Sequence, residues 1–451
     1  MIGKFCTDHR YLLSLLAVLA AGTWLRCKGL TLQSLWMDEL FTYMRCRPGL
    51  GLSEVIRPFS TGQDPHPPLY FLVIHGWFGL FGFSETAGRL FSALAGAAGI
   101  AALYQLGREL MNRACGWTAA LILAFNYFHL NFSQEARSYA LLFLLTCLSF
   151  LFLARGTRSL GKRDFLFYAL ATTAMIYTHY FGFMVVLSQT VFMVLYLATL
   201  KERWMLLKRL AGAGALVVLL YLPWIPALLR IFDRDSFWAG EVTPTYFIQL
   251  YERLFGAEPY LVVLFSAMMM VALFQMARKA CQELDFALPL LFTWIFLCIF
   301  VPYYRSITAI PMLVARYEII VLPALVIWVS MGIVLCRNRI FVGLLVSSVV
   351  LVSLVNVFHH LDYYGAIRKA QYREAAQHVL RAGDAASVYS DADKLYNVYF
   401  EILDAPVRAR PVPREVPASV DDLWFLHGRG KEDADLDQRL KGAGFARVDH
   451  R

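Results

Sequence analysis

Charge is scarce in this sequence. Lys, Arg, Asp and Glu make up 17% of its 451 residues, against 59% apolar residues, and the mean hydropathy is +0.53. A chain so poor in charge is not a soluble globular protein; it reads as one that crosses a bilayer many times. Cysteine chemistry is thin as well. The eight cysteines, at 6, 27, 46, 115, 147, 281, 298 and 336, contain no CxxC and no metal-ligand spacing. Most lie in or beside apolar runs and the tail has none, which argues against a disulfide framework. Cys27 and Cys46, in the first outer loop, are within reach of a pairing but are read as two unpaired thiols. No solenoid-type repeat and no low-complexity tract interrupts the chain. The net charge is +9, but the basic residues sit between apolar runs, as loop charges of membrane proteins do, so nucleic acid is not the partner they imply.

Apolar runs are what the chain has in quantity. A membrane-crossing helix needs about 20 residues, within a range of roughly 17–25. Candidate runs are 11–26, 89–107, 115–132, 139–154, 165–179, 181–200, 210–229, 259–277, 286–304, 317–336 and 340–358. They predict an all-α polytopic membrane protein of about eleven spans. The first run also resembles a signal peptide, with Lys4 and Arg10 ahead of it and small residues from Ala17 to Gly22. It is read as an uncleaved anchor, because acidic residues that need a fixed depth follow closely.

Residues 68–83 (PLYFLVIHGWFGLFGF) are apolar but would span only about 24 Å as a helix. Loop charge decides their placement. If 68–83 does not cross, then Arg108/Arg113, Arg155/Arg158/Lys162/Arg163, Lys201/Arg203/Lys208/Arg209, Arg278/Lys279 and Arg337/Arg339 all share a side with Lys4 and Arg10, as the positive-inside rule requires. Residues 68–83 are therefore predicted to lie in the outer interface or to re-enter it, with the N-terminus inside and the C-terminus outside. Asp38, Glu39, Asp64, His66, Arg89, Glu135, Arg137, His179, Arg305 and Arg316 play no part in that charge rule, yet it puts them all on the outer side.

The tail is polar, with prolines at 406, 411, 413 and 417. Residues 372–381 read as an amphipathic helix, 386–389, 423–426 and 445–448 as short strands, and 436–442 as a helix. The expected division is a membrane domain over 1–358, with 27–88 as its first outer loop, and a small outer α/β domain over 359–451. The tail carries no catalytic motif.

Carboxylates are costly beside a bilayer and mark functional sites there. Around Asp38, residues Trp36, Met37, Leu40, Phe41 and Met44 predict one apolar side of an interfacial helix, with Asp38, Thr42 and Arg45 on the other. Successive helical positions differ by about 100°, so Asp38 and Glu39 cannot aim at one atom. One faces a site while the other orients or caps; a plain pair of helix-start acids fits as well. Asp64 precedes His66-Pro67-Pro68, whose prolines stiffen a turn; it also fits an ordinary N-cap. Glu135 and Arg137 sit between two spans, where an interfacial ion pair is the alternative. His179-Tyr180 fits a packed interfacial pair. Arg316-Tyr317 fits a snorkelling arginine or one that binds an anionic head group. Together these residues make an outward cluster of acids and arginines. That mixture suits transfer from a phosphate-linked lipid: arginines hold the phosphate and stabilise the leaving group, and a carboxylate deprotonates an acceptor hydroxyl.

Several stretches resemble bacterial polytopic glycosyltransferases of the GT-C type, family 39 and its relatives, the protein O-mannosyltransferase-like and aminoarabinose-transferase-like enzymes. They are LWMDELFT (35–42), DPHPPLYFLVIHGWFGLFG (64–82), SETAGRLFSALAG (84–96), YQLGRELMNRACGWTAALILAFNYFHLNFSQEARSYALL (104–142), YTHYFG (177–182) and ARYEIIVLPAL (315–325). The resemblance is dense over 30–200 and patchy to about 358. It implies the GT-C fold and an inverting transfer from a polyprenyl-phosphate sugar to a hydroxyl acceptor (envelope glycan, lipid or protein) at the outer, periplasmic face of a bacterial plasma membrane. It maps the first-loop acid pair to Asp38 and Glu39, with Asp38 as general base. The acid of the family's HPP motif maps to Asp64, beside His66, and an arginine at the outer end of a span to Arg89. The second outer-loop acid maps to Glu135, with Arg137 beside it; His179, Tyr180, Arg316 and Tyr317 complete the expected donor and acceptor contacts. Tyr70 departs from the pattern of eukaryotic protein mannosyltransferases after HPPL, which weighs against protein as acceptor. A divalent ion among the carboxylates is left open, since hard cations prefer oxygen ligands and enzymes of this type exist with and without a metal. The alternatives are a flippase for a lipid-linked sugar, which favours broken helices near the midplane, and an O-antigen ligase-type enzyme that takes a diphosphate donor.

Overall fold

The computed structural model of the chain describes residues 2–232, 240–278, 283–382, 387–412, 423–428 and 438. Helix dominates it. Among the described residues, seven helices are long and apolar enough to cross a membrane: Glu85–Leu110, Tyr139–Ser159, Gly182–Thr199, Trp204–Ile231, Pro259–Ala277, Asp285–Thr308 and Arg339–His360. Four shorter apolar helices, Tyr11–Cys27, Leu69–Phe81, Arg113–Phe125 and Leu322–Val334, accompany them. Lys162–Thr178 adds a helix of 17 residues. The chain is thus a multi-pass membrane protein. Leu69–Phe81 has 13 residues, about 20 Å, which is too short for a bilayer core of about 30 Å.

Local chemistry sets several helix ends where hydropathy alone does not. The predicted run 115–132 is broken. Arg113–Phe125 ends at Asn126, whose side chain accepts from His129 N and caps a second helix, Tyr127–Ser133. The Asn126 amide also donates to Leu254 O at 2.9 Å, so its hydrogen bonds favour a cap over a continuous span. The run 317–336 likewise opens as a 3-10 turn, Tyr317–Ile320, and becomes α-helical only from Leu322. Past Tyr221 the run 210–229 changes to a 3-10 turn, Leu222–Trp224, where proline removes a backbone donor.

The chain forms two compact units. The larger takes in Met1–Lys28, Gly51–Ile74 and Arg89–Ala366. Its helices pack closely where side chains are small. A Cβ on Gly332 would stand 1.8 Å from the carbonyl oxygen of Met268, which belongs to the backbone of another helix and cannot swing away. Gly332→Ala is therefore expected to destabilise the protein by about 1–3 kcal/mol. A lower melting temperature in detergent, against an unchanged one for Gly343→Ala, where a Cβ meets open space, checks this. Elsewhere in this unit Phe150 stacks on Trp294 with ring centroids 3.6 Å apart.

The smaller unit takes in Gly29–Leu50, His75–Gly88 and Ile367–Arg451. Its strands β1 (Val388–Ser390), β2 (Arg410–Pro411) and β3 (Trp424–Leu426) form a parallel sheet in the order β2-β1-β3, with Tyr389 opposite both Arg410 and Phe425. Helices Tyr372–Ala382 and Asp393–Ile402 belong to the same unit. The first strand runs past the predicted 386–389 to Ser390, and Ala386 is outside the described residues. The elements expected at 436–442 and 445–448 also fall outside them, apart from Gln438.

Helix Met37–Cys46 also packs one side within its own unit. It buries Glu39, Leu40, Thr42, Tyr43 and Cys46, while Met37 and Phe41, assigned to the same apolar side as Leu40, are exposed. Tyr43 anchors the buried side. Its hydroxyl donates to the carbonyls of Ser84 (2.9 Å) and Glu85 (3.2 Å), and its ring packs on Phe78 and Phe83. A buried tyrosine with its hydroxyl satisfied holds that side in place. Cys27, Cys46, Cys115, Cys147, Cys298 and Cys336 are all free thiols.

Candidate active site

In the larger unit the site begins at the turn before Leu69–Phe81. Pro67 and Pro68 cannot continue a helix backwards, and the carbonyl of Pro68 accepts the first helical bond, from Leu72 N. Asp64 is therefore not that helix's N-cap. Its carboxylate instead lies 2.6 Å from His66 Nδ1. The other ring nitrogen, Nε2, is 3.2 Å from Arg137 Nη2. Arginine only donates, so His66 accepts at Nε2, carries its proton on Nδ1 and donates it to Asp64. Asp64, His66 and Arg137 thus form one directed chain of hydrogen bonds, in which the histidine fixes the guanidinium and the acid fixes the histidine.

Arg137 is buried. Its carbonyl accepts from Ser92 Oγ at 3.3 Å, and its guanidinium lies over Tyr139, 5.9 Å from the ring centre. Arg316 lies 5.7 Å from the centre of Tyr317. His179 joins the two groups: its ring is 4.7 Å from Tyr317, 6.2 Å from Tyr139 and 6.3 Å from His66. His179 follows the last residue of helix Lys162–Thr178. Burial first, then the positive charges around it, Arg137 and Arg316 among them, hold its pKa well below the usual imidazole range, so it stays neutral. Its Nδ1 accepts from Phe181 N at 3.2 Å, which leaves the proton on Nε2.

That neutrality carries a pH dependence. The unfolded chain takes up a proton on this histidine below about pH 6.5, while the folded chain resists it. Its contribution to stability is complete above that pH and is lost as pH falls toward the depressed folded value. The melting temperature is expected to drop on acidification from about pH 7.5 to about pH 5.5, with a smaller drop in His179→Gln. Equal slopes for the two proteins would contradict it.

Arg89 is 2% exposed and Glu135 5% exposed. Both act on Tyr363, whose hydroxyl is pushed up by burial, by Tyr364 and Tyr127 and by Glu135, and pulled down by Arg89. Tyr180 turns elsewhere, accepting from Trp224 Nε1 at 3.3 Å. Arg305, in the last turn of its helix, is exposed. The sequence reading passed over Glu318, which is fully buried with neither carboxylate oxygen hydrogen-bonded. Its place directly after Arg316-Tyr317 is the signal that could have found it.

In the smaller unit the acid pair divides as helical geometry demands. Asp38 is partly exposed. Glu39 is completely buried, and its Oε2 accepts from Trp36 N at 3.3 Å and from Lys369 Nζ at 3.2 Å. Nearby, Arg373 donates to Glu85 at 2.8 Å and to Glu374 at 2.6 Å. Burial alone would lower the pKa of this guanidinium, but Glu374 and Glu85 together raise it. The basic partners Lys369 and Arg373 were not singled out from sequence, because nothing local ties residue 369 to residue 39. Among the described residues no group of three His, Cys, Asp or Glu side chains is placed to hold a metal ion.

A buried arginine fixed by a His–Asp chain, beside a second arginine and a neutral histidine, is chemistry for a phosphate in a membrane protein. Residues 65–226 match the family model described as dolichyl-phosphate-mannose-protein mannosyltransferase. That match and the fold define the chain as a membrane glycosyltransferase that resembles the GT-C enzymes. The apo crystal structure of ArnT from Cupriavidus metallidurans shares 14% identity with it at a TM-score of 0.63, over 89% of this chain and 86% of that one. The same protein bound to undecaprenyl phosphate shares 15% at 0.62, over 87% and 85%. The archaeal oligosaccharyltransferase AglB from Archaeoglobus fulgidus, in complex with an inhibitory peptide and a dolichol-phosphate, shares 10% at 0.53, over 89% of this chain and 64% of that one. At such identities the likeness is one of fold. No curated protein matches the chain in sequence.

Proposed function

We propose that the chain is an inverting transferase that moves a sugar from a polyprenyl-phosphate lipid to a hydroxyl acceptor of the cell envelope, at the outer face of a bacterial plasma membrane. The observation that carries this reading is Arg137, a buried guanidinium held by His66 and Asp64. A fixed, dehydrated arginine binds a phosphate oxygen far more strongly than a solvated one. The match to a family named for a lipid-phosphate sugar donor supports it, as does the undecaprenyl phosphate bound by a protein of the same fold.

The roles follow. Arg137, Arg316 and Arg89 hold the donor phosphate, and Asp64 and Glu135 orient these arginines or bind acceptor. His179, being neutral, donates from Nε2 without repelling them. Asp38 takes the acceptor's hydroxyl proton as the oxygen attacks the anomeric carbon. The bond from that carbon to the phosphate oxygen breaks, and polyprenyl phosphate leaves with its new negative charge on the arginines. A single displacement of this kind inverts the anomeric centre.

Mass spectrometry of envelope glycans, with and without the protein, tests this reading. Loss of one sugar from one envelope component is expected, with restoration in membranes supplied with the polyprenyl-monophosphate sugar. Restoration by a diphosphate donor alone would move the enzyme to the ligase class. Unchanged glycans with an altered distribution of lipid-linked sugar across the membrane would make it a flippase.

A further inference from the structure

Glu39 is the one member of the acid pair that is wholly buried, and its charge needs a partner. A buried carboxylate left alone costs several kcal/mol or takes up a proton. Lys369 supplies the partner, from a position 330 residues further along the chain. Its ammonium also lies 5.7 Å from the centre of the Trp36 ring, so it touches both ends of the first turn of helix Met37–Cys46. The surrounding contacts hold it there. Gln33 Oε1 accepts from the backbone amides of Arg368 (2.9 Å) and Lys369 (3.1 Å). Ser34 Oγ accepts from Arg373 N at 3.0 Å, and the Arg373 guanidinium donates to Thr31 O at 2.7 Å. Ser34 is bound a second time, by the hydroxyl of Tyr399 at 2.8 Å. Residues 368–373 are thus strapped along residues 31–39 at several points, and Lys369 is the one that reaches Glu39, the chain neighbour of Asp38.

We propose that Lys369 is a positioning residue for sugar transfer. By pairing with Glu39 it pins the start of helix Met37–Cys46, sets the direction of the Asp38 carboxylate and keeps Glu39 from competing for the acceptor's proton. The inference rests on Asp38 as the base. It also gives the segment after the last span a task that its sequence does not announce. Both Glu39 and Lys369 lie outside the residues matched by the family model.

The test is a set of variants in the full chain: Lys369→Met, Lys369→Arg, Glu39→Gln, the Glu39→Gln/Lys369→Met double variant, and Asp38→Asn. Transfer is read in cells as the amount of sugar on the envelope component, normalised to protein level. Binding of undecaprenyl phosphate is read on purified protein. Lys369→Met is expected to lower transfer roughly 10- to 100-fold, the scale of a misplaced reacting group, while leaving undecaprenyl phosphate binding within about twofold. Lys369→Arg, which keeps the charge, restores most of the transfer. The double variant loses no more than Glu39→Gln alone, because Lys369 acts through Glu39. If Lys369→Met fails to fold, the double variant still decides, since it leaves no unpaired buried charge. Full transfer in Lys369→Met, or a double variant clearly worse than Glu39→Gln, overturns the inference. An active Asp38→Asn instead removes Asp38 as base, an outcome visible whatever Lys369 does.

Discussion

Asp38→Asn is expected to lower the transfer rate by about 10²–10⁴-fold, the range for loss of a general base. Asparagine keeps the size and the helix-start geometry of aspartate but cannot accept the acceptor's proton. Undecaprenyl phosphate binding and the melting temperature should both stay near wild type, because Asp38 is only partly buried. Single-turnover measurement on purified protein separates these effects. A variant that binds donor lipid and turns over at the normal rate would remove Asp38 from the chemistry. Glu39→Gln makes the contrast. Its buried carboxylate accepts from Trp36 N and Lys369, so its loss should appear in stability as well as in rate.

Arg137→Ala is the second large effect. It removes the donor that His66 Nε2 accepts from and the guanidinium that lies over Tyr139 and acts on His179. Loss of a preorganised group that stabilises charge on the leaving oxygen costs about 10²–10³-fold in turnover. Weaker binding of undecaprenyl phosphate is expected alongside it, since a phosphate is held before and after transfer. Arg137→Lys should recover part of the binding and little of the rate, because lysine is a point charge without the planar fork. His66→Ala should resemble a mild form of Arg137→Ala, as the ring orients the guanidinium through one nitrogen only. If Arg137→Ala left both binding and rate unchanged, the phosphate site would have to lie elsewhere.

Much of the fold is legible because hydropathy and loop charge are strong, additive signals. Residues 68–83 are too short to span, and Leu69–Phe81 is indeed a helix of 13 residues. Breaks in the spans are less legible. Asn126 ends a helix inside an apolar run through a hydrogen bond to Leu254 O, more than a hundred residues away. The buried side of helix Met37–Cys46 is illegible for a related reason: Tyr43 is drawn inward by carbonyls at 84 and 85, which no local pattern reveals.

The candidate site divides in the same way. Residue types that are costly near lipid announce themselves, so Asp38, Glu39, Asp64, Arg89, Glu135 and Arg137 are visible in the sequence. Their partners are not. That His66 donates to Asp64 and accepts from Arg137, that His179 is held neutral, and that Glu39 is answered by Lys369 are decided by tertiary structure. Residue type is enough to mark the groups that carry charge in an apolar chain, because desolvation makes each of them expensive wherever it lands. Tertiary structure alone decided which of them meet, because hydrogen bonds are short and directional, and residues 39 and 369 approach only when the chain has folded.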